Sequence, residues 1–581
     1  MIAARRILPY PAAALLALAA VWFGLDLWRL DWSVPLAYSG DALAVASHVK
    51  TVLETGWFTH QPALGAPYGQ YYSDYPQADN LHFVVFSAAR WFTSDVGVVM
   101  NGYFVAGFPL AAVTATWFLR RAGVKGMLAV ALGVVFAIAP YHFVKGEGHL
   151  FLSAYFVVPL ALDVILRAAH GLPLWSSRVL SRRNVCTVGS LVLLGTASSY
   201  YSVFTAVLLA VAGLATLWRT RRWRVFGGAA AAGLVIAATL AANLAPSILY
   251  RAVHGANESV LVRSPPEAEL YSFKLAALLL PVPGHRFPPF AELRRLYDEH
   301  YPLPSEEPAL GLLASAGLGV LIVVGVFLLL SAGRPGWRRA PGVLVDRLAV
   351  LAGLAFVAFL FGTVGGLATP LSFVGFPVRS WNRIAIFLAL VALTALGLVL
   401  GLLVERVARR RVAGAMVVAC SGLLVVVAVW DQIPPVDTAA RARTVAEFRS
   451  DAEFVGRLER SVAPGCLLYQ LPYIPFPESP PVNGVTDSDQ LRLFLHSTSL
   501  RWSGGGIKGR GPVDRAGAMA SLPVSEMVEA VEGLGACGLV IDRVASAGTG
   551  ATVLDELERL GVSGGRIVSR DGRFVCTRLQ T

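Results

Sequence analysis

A polar segment that follows the first apolar run of the chain concentrates side chains suited to chemistry. Asp41 comes directly after Tyr38-Ser39-Gly40, and Asp74 and Asp79 follow among glycines, prolines and tyrosines. A carboxylate just beyond a membrane helix lies at the depth of a lipid head group, where it can accept a proton from a hydroxyl or help to bind a metal. We predict a catalytic role for Asp41 and substrate contacts for Asp74 and Asp79. The alternatives are structural, because Asp41 and Asp79 can cap helices and Asp74 can hold a turn.

A second group of ionisable side chains occupies one short turn between two apolar runs. The segment 140–149 contains His142, Lys145, Glu147 and His149. Ionisable groups are costly at the edge of a bilayer unless they have partners, so their density indicates a binding site. We predict that Glu147 and His149 hold a divalent cation such as Mg²⁺ or Mn²⁺, and that Lys145 and His142 contact the substrate, Lys145 at a phosphate. The alternative is a solvated turn with snorkelling side chains.

Two arginines, Arg379 and Arg383, lie in the segment 376–383 just before a late apolar run. Residues four apart share one face of a helix, and a guanidinium group binds phosphate through two hydrogen bonds. Upstream, the residues 365–370 (Gly-Gly-Leu-Ala-Thr-Pro) predict an irregular segment of the kind that lines a cavity. The arginine pair therefore predicts a site for an anionic ligand. Its alternative is pairing with carboxylates of neighbouring loops.

The elements that must position these residues are membrane helices. Hydrophobic residues make up 55% of the 581 positions and charged residues only 15%, with a mean hydropathy of +0.60. A soluble protein has about a quarter charged residues. Repeated apolar runs of about 18 residues or more predict a mainly α-helical, polytopic membrane bundle. The net charge of +12 reflects arginines in short loops, so it does not indicate nucleic acid as a partner.

The hydropathy pattern predicts about eleven transmembrane helices. Their limits are roughly 8–28, 96–119, 127–143, 150–167, 186–199, 202–218, 226–246, 309–331, 347–366, 384–404 and 413–431. Alternate loops carry the arginines, and the positive-inside rule places those loops and the N-terminus in the cytoplasm. The segments 30–95, 144–149, 247–308 and 367–383 are then on the outer side, together with the C-terminal region.

The chain divides into a predicted membrane domain, 1–432, and a predicted extracytoplasmic domain, 433–581. The outer loop 30–95 contains two amphipathic stretches, 42–56 and 80–92, which we expect to form helices along the membrane interface. The long outer loop 247–308 is rich in proline, histidine and arginine. Loops of this length usually have a function, and we predict that it covers the substrate.

The C-terminal region has the alternating pattern of a small α/β domain. Cys466–Leu471 and Cys537–Asp542 are predicted strands, and Ile567–Arg578 a hairpin that turns at Asp571-Gly572. Outside the cytoplasm, Cys466, Cys537 and Cys576 would meet oxidising conditions, which allow one disulfide among them. Asp487-Ser488-Asp489 has the appearance of a metal-binding Asp-x-Asp motif, but a polar turn is the favoured interpretation.

These features together resemble the GT-C superfamily of membrane glycosyltransferases. Asp41 has the place of a catalytic acidic residue in a large first outer loop with two interfacial helices, and an extracytoplasmic domain follows the predicted spans. The segments 38–83, 140–152 and 378–383 look similar to bacterial members loosely placed with this superfamily.

The resemblance implies an activity, its partners and a location. The donor would be a polyprenyl-phosphate-linked sugar of the membrane, and the acceptor an envelope glycan, lipid or protein. Transfer would invert the sugar, with a carboxylate as base and with cationic groups or a divalent metal ion at the leaving phosphate. The location would be the inner (plasma) membrane.

Two other functions remain open at this stage. A transporter or flippase of a lipid-linked saccharide would have polar residues along its helices and internal symmetry. The predicted spans contain few ionisable groups, chiefly Asp26 and Asp163 near span ends. A non-catalytic protein of envelope polysaccharide assembly would bind polymers through its C-terminal domain. The concentration of polar residues on one side favours an enzyme.

Overall fold

A computed structural model describes residues 7–302, 308–331, 342–374, 378–407, 410–562 and 565–579. The protein is a polytopic membrane helix bundle followed by a C-terminal α/β domain, as predicted. Its helices are α1 (Pro9–Gly24), α2 (Asp41–Thr55), α3 (Asn80–Ala89), α4 (Val96–Ala122), α5 (Gly126–Ala137), α6 (Pro140–Lys145), α7 (Leu150–Ser153), α8 (Val158–Ala169), α9 (Arg182–Ala197), α10 (Ser199–Thr220), α11 (Trp223–His254), α12 (Glu267–Leu270), α13 (Leu275–Leu279), α14 (Pro288–His300), α15 (Leu312–Ser331), α16 (Val343–Gly362), α17 (Ala368–Phe373), α18 (Ala385–Val407), α19 (Arg410–Gln432), α20 (Thr438–Ser461), α21 (Arg492–His496), α22 (Gly511–Ala518), α23 (Val524–Gly533), α24 (Arg543–Ser546) and α25 (Thr549–Arg559). Its strands are β1 (His60–Gln61), β2 (Gln70–Tyr71), β3 (Leu467–Leu471), β4 (Arg501–Trp502), β5 (Ala536–Asp542), β6 (Ile567–Val568) and β7 (Phe574–Arg578).

Nine segments of the described chain are long and apolar enough to cross a membrane, and each coincides with a predicted span. The two remaining predictions, 8–28 and 186–199, correspond to α1 and α9, which have 16 residues each. A helix of that length extends about 24 Å, less than the roughly 30 Å of a bilayer's hydrocarbon core. The arginines of the 332–341 segment, and Arg5, Arg6 and Arg409, lie outside the described residues.

Two spans form the centre of the bundle, and one of them carries the predicted phosphate site. The spans Gly126–Lys145 and Trp381–Arg406 are mostly buried, whereas Trp223–His254 is mostly exposed. A helix that is apolar all round is buried on every side, and α18 has that character. A 3₁₀ turn, Trp381–Ile384, leads directly into α18. Arg383 is therefore held at the end of the most enclosed part of the bundle.

The C-terminal domain is built on a five-stranded mixed sheet of order β4-β3-β5-β7-β6. The strands β4 and β5 pair in parallel with β3, and β7 runs antiparallel to both β5 and β6. The predicted strands and hairpin are thus confirmed. Cys466 and Cys537, whose Cα atoms are 5.8 Å apart, form a disulfide, while Cys576 is a buried free thiol.

The first outer loop is attached to this domain through buried polar contacts. The helix α2 was expected along the membrane interface, but most of its residues are buried, and it packs against α3, α4, the 3₁₀ turn Asp487–Leu491 and α21. The Tyr38 hydroxyl donates to Asp451 Oδ2 at 2.8 Å. Lys50 Nζ donates to the carbonyl of Ser497 at 2.7 Å. The loop and the domain therefore form one continuous structure around Asp41.

Asp74 provides a further attachment, because its carboxylate accepts hydrogen bonds from Arg510. The Arg510 Nε atom lies 2.8 Å from Asp74 Oδ2, and the same guanidinium group donates to the carbonyls of His254 and Gly255. The Asp74 side chain is 1% exposed. One arginine of the C-terminal domain thereby joins the loop 30–95 to the segment at the end of α11.

We expect Arg510→Ala to destabilise this assembly by about 3 kcal/mol, because it leaves a buried carboxylate without its partner. The melting temperature in detergent should fall, and protease cleavage of the loop 247–308 should accelerate. Arg515→Ala is the matched control, since Arg515 is exposed on α22. Adding Asp74→Asn to Arg510→Ala should restore part of the stability. Equal stability of Arg510→Ala and the unaltered protein would contradict this role.

Candidate active site

Asp41 is the first residue of α2, and its side chain does not cap the helix. The cap position is Gly40, which has φ +53°, a conformation that favours glycine. The Asp41 carboxylate makes no capping hydrogen bond and is 67% exposed. Its Oδ2 atom lies 3.4 Å from Nδ1 of His149. Helix capping, the structural alternative for Asp41, is therefore not the role of its side chain. The carboxylate is instead accessible.

Arg379 and Arg383 approach Asp41 from the segment that precedes α18. Arg379 lies over the ring of Tyr271 at 5.0 Å, and Arg383 over the ring of Tyr200 at 4.3 Å. The buried Nε atom of Arg383 has no hydrogen-bond partner among the described residues. Both guanidinium charges favour the ionised form of Asp41 and act to lower its pKa. The predicted anion site therefore lies within electrostatic range of the predicted base.

Arg383 is the common electrostatic neighbour of a group that we name the outer cluster. The outer cluster consists of Asp41, Asp79, Lys145, His149, Arg379 and Arg383. The charge of Arg383 influences the ionisation of four other members, namely Asp41, Asp79, Lys145 and His149. These residues come from the start of α2, the residue before α3, the end of α6 and the turn after it, and the beginning of the span Trp381–Arg406 with the segment before it. Six of the nine predicted site residues are therefore brought together.

The protonation states in the outer cluster follow from burial and charge. Desolvation by the protein around the site, assisted by the charge of Asp487, raises the pKa of Asp41 above its usual value although its side chain is accessible, while Arg383 and Arg379 oppose the change. Burial also raises the pKa of Asp79 to about 7, again opposed by Arg383. Burial and the charges of Arg383 and Lys145 lower the pKa of His149 to about 3. His149 is therefore neutral at physiological pH.

Three predicted site residues make their described contacts with groups outside the outer cluster. Asp74 is paired with Arg510. His142 is buried, with its ring stacked on Phe108 and its Nε2 atom 3.3 Å from the carbonyl of Phe104. Glu147 is buried and accepts a hydrogen bond from the backbone N–H of Ala37 at 2.9 Å. Their observed contacts stabilise the surroundings of the cluster.

The described residues do not fit the predicted divalent cation site. No group of three or more His, Cys, Asp or Glu side chains with metal-binding geometry occurs among them. Asp41 and His149 approach each other, but Glu147 faces the backbone at Ala37. Burial raises the pKa of Glu147 to about 8, so that at neutral pH its carboxyl group is mostly protonated and a poor ligand. We derive no step through a metal ion.

The C-terminal domain contributes two carboxylates that the sequence analysis did not assign to the site. Asp487 and Glu478 both act electrostatically on Asp41. The Asp487-Ser488-Asp489 segment forms a 3₁₀ turn, in which Asp489 pairs with Arg573 at 3.2 Å while Asp487 accepts from the N–H of Ser479. The Asp-x-Asp pattern was a sequence signal for Asp487, whereas no local pattern singles out Glu478.

Comparisons with known proteins give matches in structure alone. No protein-family model matches the chain, and neither does any curated protein. The archaeal oligosaccharyltransferase AglB from Archaeoglobus fulgidus, in complex with an inhibitory peptide and a dolichol-phosphate, is 13% identical, with a TM-score of 0.46 over 100% of this chain and 75% of that chain. ArnT from Cupriavidus metallidurans, bound to undecaprenyl phosphate, is 14% identical, with a TM-score of 0.48 over 99% and 98%. The arabinofuranosyltransferase AftD from Mycobacteria is 14% identical, with a TM-score of 0.49 over 98% of this chain and 40% of that chain.

Proposed function

We propose that the protein is an inverting membrane glycosyltransferase that moves a sugar from a polyprenyl-phosphate donor to an acceptor of the cell envelope. The observation that carries this proposal is the approach of two arginines, Arg379 and Arg383, to the accessible carboxylate of Asp41. A base next to an anion site is what displacement of a phosphate leaving group by a hydroxyl requires.

In the proposed reaction Asp41 is the general base. An acceptor hydroxyl oxygen attacks the anomeric carbon of the donor sugar while its proton passes to the Asp41 carboxylate. The bond between that carbon and the phosphate oxygen breaks, and its electrons leave with the polyprenyl phosphate. A single displacement of this kind inverts the anomeric centre.

The neighbours of Asp41 have supporting roles in this proposal. Arg379 and Arg383 stabilise the negative charge that develops on the departing phosphate, and Lys145, in the same cluster, is a candidate hydrogen-bond donor to that phosphate. Neutral His149, 3.4 Å from Asp41, orients the carboxylate without holding it in a strong ion pair. Asp79, whose pKa lies near 7, is a candidate contact for sugar hydroxyls.

We further propose that this site faces the outer side of the inner (plasma) membrane, where lipid-linked sugars meet envelope acceptors. The arginine-rich loops lie opposite the outer cluster along the predicted spans. The Cys466–Cys537 disulfide supports the same orientation, since disulfides persist in oxidising compartments. Envelope glycans, lipids and proteins all carry the hydroxyl or amide groups that such a transfer uses.

The first test is binding of polyprenyl phosphate to purified protein in detergent. Charge-assisted hydrogen bonds contribute about 1.5–3 kcal/mol, so Arg379→Ala should raise the Kd about tenfold or more. Arg449→Ala is a matched control, because Arg449, on α20 of the C-terminal domain, is exposed and pairs with Asp31 of the loop 30–95. The same protein should release polyprenyl phosphate from a labelled polyprenyl-phosphate sugar when an acceptor is present. Unchanged binding by Arg379→Ala would refute the phosphate site.

A further inference from the structure

Glu478 of the C-terminal domain contacts two loops that precede it in the chain. Its Oε1 atom accepts from the Tyr75 hydroxyl at 2.9 Å and lies 2.9 Å from Nη2 of Arg263. Its Oε2 atom accepts from the N–H of Leu261 at 3.2 Å. One carboxylate thus joins the first outer loop, the long loop 247–308 and the C-terminal domain.

The backbone of Glu478 is in the left-handed region, with φ +59°. A residue other than glycine in this conformation costs about 1–2 kcal/mol. Glycine or asparagine would meet the backbone requirement with less strain, so the conformation does not itself call for a glutamate. The contribution of Glu478 therefore comes from its charged side chain and not from its backbone conformation.

Glu478 also faces Arg379, but at a distance that leaves the arginine available. Arg379 Nη2 lies 3.7 Å from Glu478 Oε1, and Nη1 lies 3.6 Å from Glu267 Oε1. Both distances exceed those of hydrogen bonds. The guanidinium group is oriented by two carboxylates and by the ring of Tyr271. It makes no side-chain hydrogen bond within the described part of the chain, so its N–H groups can still donate to an anion.

We propose that Glu478 is a positioning residue for Arg379, an inference that rests on the proposed function. In the free site the Glu478 carboxylate holds the Arg379 guanidinium group in place within the outer cluster. The same carboxylate competes with the donor phosphate for the positive charge of Arg379. Glu478 therefore weakens ground-state binding of the donor while keeping Arg379 in the orientation that stabilises the leaving phosphate. A preorganised charge of this kind lowers the barrier of the chemical step.

Glu478→Gln removes the charge with little change of shape, since glutamine retains the length, the backbone strain and one acceptor oxygen for Tyr75, while its amide nitrogen replaces the oxygen that accepts from Leu261. We expect the KM for the polyprenyl-phosphate sugar to fall about threefold to tenfold and kcat to fall about tenfold or more. Glu526→Gln is the matched control, because Glu526 is exposed on α23 of the same domain. A purely structural role would change the amount of folded protein and leave KM and kcat unaltered, which would overturn the inference.

The same substitution in an Arg379→Gln background shows whether Glu478 acts through Arg379. Coupled residues give non-additive effects, so Glu478→Gln should then leave the donor KM unchanged. An equal decrease of KM in both backgrounds would overturn the positioning role. If Glu478→Gln does not fold, Glu478→Asp keeps the charge and should keep KM near its original value while kcat falls; a fall in KM would refute the inference.

The outcome for the proposed function is read separately. Absence of sugar release by the unaltered protein, with normal folding, refutes the glycosyltransferase and with it the role of Glu478. Sugar release that depends on Arg379 but not on Glu478 refutes only the inference made here.

Discussion

Asp41→Asn is expected to lower the rate of sugar transfer by about 10²- to 10⁴-fold, the usual contribution of a general base. Asparagine has nearly the same shape but does not accept the proton of the acceptor hydroxyl at neutral pH. Binding of polyprenyl phosphate should be kept, because Arg379 and Arg383 remain. The measurement is single-turnover release of labelled sugar from the donor.

Loss of the fold does not explain such a result. Desolvation and the charge of Asp487 raise the pKa of Asp41, which means that the folded protein disfavours its charged form. A neutral asparagine should therefore leave the melting temperature unchanged or slightly higher. Asp26→Asn is the control, since Asp26 lies just after α1 and is not among the groups whose charges shift the pKa of Asp41. Full transfer activity in Asp41→Asn would exclude the base role.

The same carboxylate predicts a pH dependence with a definite sign. A general base works in its ionised form, so kcat should fall as the pH decreases through the pKa of Asp41. Because that pKa is raised, the acidic limb should lie above the usual 3.8 of an aspartate. Arg379→Ala and Arg383→Ala remove charges that lower this pKa, so each should shift the limb further upward.

The second large effect is expected for Arg383→Ala, which should reduce kcat by about 10²- to 10³-fold, as does loss of one preorganised donor to a developing anion. Arg383 lies over Tyr200 at 4.3 Å, its Nε atom is buried without a partner in the described residues, and its charge acts on Asp41. A low-dielectric position of this kind strengthens its effect on a nearby phosphate.

Arg383→Lys separates charge from geometry. Lysine keeps the positive charge but not the two parallel N–H groups of a guanidinium, so we expect an intermediate rate. Arg406→Ala at the opposite end of the same span is the control. The readout is kcat in single turnover beside the Kd for polyprenyl phosphate. A rate for Arg383→Ala within about twofold of the original would contradict a role at the leaving phosphate.

The sequence by itself determined the class of protein and the parts of the site that local chemistry marks. Nine predicted spans are present because an apolar run long enough to cross a bilayer has few alternatives to a membrane helix. The α/β pattern of the C-terminal domain was also predictable, because periodicity and turn residues are local properties. Asp41, Arg379 and Arg383 were identified as ionisable groups beside apolar runs, where burying a charge without a partner is costly.

Only the tertiary structure decided which of these groups face one another. Asp74 is engaged by Arg510 of the C-terminal domain, and Glu147 by the backbone at Ala37, contacts that no local pattern encodes. No sequence pattern marked Glu478, because its proposed role depends on contacts with Tyr75, Arg263 and Arg379 from distant segments. Packing between helices and loops that are far apart in the chain determines which side chains meet in a site. A short stretch of sequence does not encode that packing.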